Sequence, residues 1–218
     1  MVKATFLNLP EEKRARIVEL AIEEFSDNPY RQASLSRIVS RAGIAKGSIY
    51  QYFDNKLDLY RWLVTKELQA RKLALFEANI DPSASFFEQL EASALLGLRF
   101  ARAEPRLARL GANLIEWTVD PELAELNAEV RETSHAYLRE MVEQAQASGE
   151  LRPSLDPDIA VELVSQLLGR GLVELMMRRQ GLDLEGFLAG TDVAQLSDEE
   201  LESLVHEIIE VLRAGMGV

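Results

Sequence analysis

Apolar residues return every three or four positions along most of the chain. Ile17, Leu20, Ala21 and Phe25 make one such series. Leu57, Tyr60, Val64, Leu68 and Leu75 make a second, and Leu123, Leu126, Val130, Tyr137 and Met141 a third. That is the α-helical period, and no stretch alternates with period two for long enough to make a strand. Breaks carrying Pro, Gly or Asp fall at "SDNPY", "DPSAS", "AEP", "TVDP", "SGELRPSLDPD" and "QGLDLEG". The pattern predicts an all-α chain of about nine helices, at 10–26, 34–41, 45–52, 55–79, 83–102, 104–117, 121–147, 157–180 and 197–214. The second and third are short and are separated by Gly43. The others are long enough to build a bundle.

Charge is spread unevenly along the chain. The 218 residues carry a net charge of −12. Yet residues 1–60 hold nine Lys and Arg against eight Asp and Glu, and residues 28–56 hold five basic side chains against Asp54 alone. The whole chain therefore disfavours nonspecific nucleic-acid binding, while one early patch permits it. There are no cysteines, hence no disulfides and no thiolate zinc site. No apolar run approaches the roughly 20 residues that span a bilayer, and the N-terminus lacks the apolar core of a signal peptide. The expectation is a cytoplasmic protein with no membrane partner.

The patch contains "SLSRIVSRAGIAKGSIYQYF", which has the layout of a helix-turn-helix. Ser34 is placed to cap the first helix, Gly43 to take the left-handed conformation at its end, and Ile44 to plug the turn. Ile49 and Phe53, four apart, bury the second helix. Stepping 100° per residue from them turns Gly47 and Gln51 directly outward, with Ser48 and Tyr50 beside them and Lys46 and Tyr52 at the edges. This face has no carboxylate. Gln pairs with adenine edges, Ser and Tyr with phosphates, and Lys with guanine or phosphate. Asn55 is placed to cap the next helix, with Asp58 as its reciprocal partner and Lys56 beside the positive helix end. Two small helices merely packed on a bundle would look similar in geometry alone.

Residues 34–60, "SLSRIVSRAGIAKGSIYQYFDNKLDLY", resemble the DNA-binding signature of the TetR family of bacterial repressors. The match rests on Ile38, Ala42-Gly43-Ile44, Gly47, Ile49-Tyr50, Tyr52-Phe53 and Lys56. A weaker likeness is "GELRPSLDPDIA" at 149–160. Ala45 departs from the family's usual Ser or Thr cap, and Val39 stands where a smaller residue is common. The resemblance implies a three-helix head over residues 1–55 and a helical ligand-binding and dimerisation body over 56–218, linked by the helix at 55–79. It implies a dimer that binds a double-stranded, palindromic operator. Lys46, Gly47, Ser48, Tyr50 and Gln51 would face the major groove. Tyr50, Tyr52 and Lys56 would hold phosphates, and Ser34 and Ser36 would touch the backbone or a base. The acidic body would then confine docking to the heads.

The body has two further tasks, sensing and dimerisation. "PDIAVELVSQLLGRGLVELMMRR" is apolar nearly all round and needs cover on more than one side. The expected dimer surface uses Leu168, Leu172 and Leu175 with Leu204, Ile208 and Leu212 of the final helix. Candidate lining for a small, largely apolar effector is Phe87, Leu95, Phe100, Leu114, Trp117, Tyr137, Met141 and Met176, with Asn113 and Glu116 as polar anchors. His135 and His206 lack ligand-spaced partners, and no catalytic constellation is suggested, so neither a metal, a cofactor nor an enzyme activity is expected. The reading is a ligand-responsive transcriptional repressor. The alternative is a helical protein that binds DNA constitutively, without an effector.

Overall fold

The computed structural model describes residues 2–115, 121–181 and 197–218. Glu116 and Trp117 lie outside the described residues. Among the described residues there is no strand; Leu151 and Gly217 form an isolated antiparallel bridge. No described helix is long and apolar enough to cross a membrane.

The chain packs as two compact units. The first comprises residues 1–73 and 104–130. Its helices are α1 (Ala4–Leu7), α2 (Glu11–Asp27), α3 (Leu35–Ala42), α4 (Ile49–Tyr52) and α5 (Lys56–Trp62). The chain continues from α5 through a π-helical stretch, Leu63–Leu68, into α6 (Gln69–Glu77). The predicted helix 55–79 is therefore continuous but widens by one residue per turn at its centre, which periodicity does not reveal. Further on, α8 (Pro105–Ile115) and the start of α9 (Pro121–Ser148) complete the unit. Phe25, Tyr30 and Tyr60 pack as an aromatic triad, with ring centroids 5.0–6.2 Å apart. Tyr60 donates to the Leu110 carbonyl of α8 at 3.3 Å. Burial, and next the neighbouring Tyr30, pushes the Tyr60 hydroxyl above the ordinary tyrosine range, so it stays neutral. Gly111 of α8 lies against Leu68, where a Cβ would stand 3.2 Å from Leu68 Cδ2. Packing thus runs past the sequence boundary at residue 55, because Leu59, Tyr60, Leu63 and Val64 are covered by the same unit as the head.

The second unit comprises residues 74–103 and 131–218. It contains α7 (Phe86–Ala103), the rest of α9, α10 (Pro157–Gln166), a second π-helical stretch (Leu167–Gly171), α11 (Leu172–Gln180) and α12 (Asp198–Met216). Asp156 caps α10 and Pro157 opens it, a position where the missing N–H has no cost. Ser197 and Glu200 form a full capping box on α12. One apolar core joins these helices, with Phe86, Phe87, Val142, Val164, Leu172, Met176, Val205 and Ile209 at its centre.

Candidate DNA-binding surface

Helix α3 begins and ends on side-chain and backbone devices the sequence made visible. The Ser34 hydroxyl accepts from Arg37 N at 3.4 Å. Gly43 has φ 67°, its N–H donates to Ser40 O, and Ile44 N donates to Val39 O, the two-bond Schellman closure. Beneath α3, Glu24 is a buried carboxylate. It accepts from Ser34 N at 2.8 Å and from Arg37 Nε at 2.9 and 3.0 Å, so the charge is compensated where it is desolvated.

The second helix is shorter than expected. Ala45 offers no side-chain cap, and Lys46–Ser48 form a 3-10 turn closed by Ser48 N to Ala45 O at 2.8 Å. Only Ile49–Tyr52 are α-helical. A tighter first turn is one way for a helix start without a side-chain cap to bond its own donors. Ile49 and Phe53 are buried, as their spacing predicts. Lys46, Gly47 and Gln51 are exposed, Tyr50 is 54% exposed, and Ser48 is half-buried. Space around Gly47 is open on the outer side. The structure therefore brings Lys46, Gly47, Ser48, Tyr50 and Gln51 onto one outward face, with Ser36 exposed on α3.

Two residues differ from expectation. Tyr52 is only 6% exposed, with its ring 5.7 Å from that of Phe6. It belongs to the core, because α1 covers the edge it was expected to present. Lys56 does not extend outward either. Its Nζ donates to the carbonyls of Tyr30 at 2.7 Å and of Arg31 and Ala33 at 3.3 Å. The three ammonium protons are thus used inside the head. Asn55 caps α5 through Asp58 N at 2.8 Å, but Asp58 accepts from Asp54 N rather than from Asn55. Phe6 and Glu24 are not among the residues that the sequence singles out, and Arg37 counts there only as one of five basic side chains; the apolar "TFL" ahead of Pro10 is the sequence signal for α1.

Of the candidate effector residues, Phe87, Phe100 and Met176 are buried in the second unit, and Leu95 and Met141 pack half-buried on its core. Tyr137 is 61% exposed. Leu138, Met141, Val142 and Ala145 form the inward stripe of α9, and Tyr137 sits 100° round from Leu138. Asn113 and Leu114 belong to the first unit, where Leu114 O accepts from Asn127 Nδ2 at 2.9 Å. Leu172, Leu204, Ile208 and Leu212 of the expected dimer surface are buried in their own chain's core, with Leu168 packed partly against it. One face of each terminal helix is already covered within the chain. Among the described residues, the large apolar side chains left exposed there are Ile159, Leu163, Leu175 and Val211.

Comparison with known proteins agrees with this geometry. Residues 17–62 match the family described as "Bacterial regulatory proteins, tetR family", and residues 86–185 match "Tetracyclin repressor-like, C-terminal domain". The crystal structure of a TetR family transcriptional regulator from Chloroflexus aurantiacus J-10-FL is 33% identical, with TM-score 0.74. The match covers 100% of this chain and 99% of that one. The chain belongs to the TetR family. It is a helix-turn-helix transcriptional regulator of the ligand-responsive kind. Among its relatives is the "Fatty acid metabolism regulator protein" of Bacillus subtilis (strain 168). That protein is 27% identical over 203 residues, covering 90% of this chain and 95% of the relative. The TetR fold is also shared with FadR from Bacillus subtilis, solved in complex with stearoyl-CoA. There the TM-score is 0.71 and the identity 22%, covering 92% of this chain and 98% of that one.

Proposed function

We propose that two copies of the chain seat their α3–α4 segments on an inverted-repeat operator and repress transcription, and that a long-chain acyl compound releases them. The observation that carries the DNA reading is the outward face of Lys46, Gly47, Ser48, Tyr50 and Gln51. It is exposed, hydrogen-bonding and free of carboxylate, while its apolar side is buried by Ile49 and Phe53. Gln51 is placed to read a base edge, and Lys46, Ser48 and Tyr50 to hold phosphates or a guanine. Ser36 extends the phosphate contact from α3. Ser34 and Lys56 position the head from inside it.

Dimerisation through α10, α11 and α12 is proposed to use Ile159, Leu163, Leu175 and Val211, the apolar side chains that own-chain packing leaves exposed. A dimer presents two heads, which must match half-sites about 34–36 Å apart. An effector that favours another spacing by about 1.4 kcal/mol releases DNA tenfold.

The acyl effector is supported by the regulator of fatty acid metabolism among the relatives and by the apolar, aromatic interior of the second unit. Fluorescence anisotropy on a selected inverted repeat, titrated with stearoyl-CoA, tests it. Saturable release of DNA is expected. Retention of the complex throughout the titration rejects the acyl effector, and absence of any enriched repeat rejects the operator reading.

A further inference from the structure

The recognition segment is too short to hold itself. Its α-helical part has four residues, Ala45 at the start of its 3-10 turn makes no side-chain cap bond, and its last carbonyls have no partner further along the helix. Three consecutive carbonyls at its end are met by residues near the start of the chain. Tyr50 O accepts from Lys3 Nζ at 2.8 Å, Gln51 O accepts from Thr5 Oγ1, and Tyr52 O accepts from Lys3 N at 2.9 Å. The Lys3 ammonium also pairs with Asp54 at 2.8 Å. Below these contacts Phe6 is fully buried, 4.8 Å from the Phe53 ring and 5.2 Å from Trp62.

We propose that residues 3–6 are a strap that fixes the seat of the recognition helix, with Lys3 and Thr5 as positioning residues for DNA readout by Tyr50 and Gln51. These residues precede the matched family segment, which starts at residue 17. The strap grips the carbonyls of the two most outward residues of α4. Losing it frees the backbone from which both side chains reach the groove. The ammonium of Lys3, paired with the Asp54 carboxyl, holds it below the usual carboxylate range. The consequence for operator binding rests on the DNA reading above; the strap itself does not.

The test uses the full chain with Lys3→Met and Thr5→Val, singly and together, leaving Phe6 in place so that the core stays closed. The first measurement is amide hydrogen exchange without DNA. The Phe53 amide, bonded to Ile49 O at 2.9 Å, should exchange about tenfold faster in the double variant, while Leu59 in α5 is unchanged. Unchanged exchange at Phe53 overturns the strap, whatever the DNA result. The second measurement is operator affinity against salt. Each single variant should bind about tenfold more weakly with the same salt slope. If Lys3→Met lowers the slope by about one and Thr5→Val has no effect, Lys3 is a direct phosphate ligand and the strap is overturned. Should the wild type select no operator, the DNA reading fails, and the exchange measurement still decides the strap.

Discussion

Lys56 is folded onto Tyr30: its ammonium nitrogen lies 4.4 Å from the ring centroid and donates to the same residue's carbonyl at 2.7 Å. With Arg31 O and Ala33 O as further acceptors, one side chain of α5 closes the turn between α2 and α3.

This placement turns an apparent phosphate ligand into a support. Lys56→Met removes three donors and strands part-buried carbonyls, at a cost of roughly 1–3 kcal/mol. Thermal melting should fall, and operator affinity should fall with it at every sequence, with no loss of salt slope. Unchanged melting with a slope lower by about one would return Lys56 to the phosphates.

The turn between α3 and the recognition segment depends on Gly43. A Cβ there meets nothing within 4 Å, so the cost of a side chain is the left-handed backbone alone, φ 67°. Gly43→Ala should destabilise the chain by about 1–2 kcal/mol, and Gly43→Asn by less, because Asn tolerates that region. Chemical denaturation of the two variants checks the order.

The terminal helices separate two kinds of apolar residue. Ile208 faces its own chain's core, and Ile208→Asp should unfold or aggregate the second unit, since it buries an unpaired charge. Leu175 and Val211 are exposed, so Leu175→Asp and Val211→Asp together should leave a folded chain that no longer dimerises. Light scattering with circular dichroism distinguishes these results. A persisting dimer in the double variant would move the interface away from these helices.

The helix-turn-helix was legible because it is local. Ser34, Gly43 and the Ile49–Phe53 spacing each act within a few residues of themselves, and their caps and burial follow directly. Ala45 was legible too as a missing cap, though not the 3-10 turn that replaces it. Long-range pairings left no such trace. Nothing near Lys56 in sequence shows that carbonyls 23–26 residues earlier take its protons. Nothing near Tyr52 shows that Phe6 covers it. Periodicity marks a helix face as apolar but not which chain covers it, so Leu172 and Ile208, expected at the dimer surface, lie instead in their own chain's core. The two π-helical stretches break the 3.6 period by one residue, too little to see against a broad apolar stripe.

The face Lys46–Gln51 is proposed to read an inverted repeat. A binding selection on randomised duplex DNA, run with the wild type and with Gln51→Ala, tests it most directly. The wild type should enrich an inverted repeat, and Gln51→Ala should relax one position in each half-site, by roughly 1–3 kcal/mol if the contact is bidentate. Enrichment of the same repeat with unaltered preference by Gln51→Ala, or of no repeat by the wild type, would contradict it.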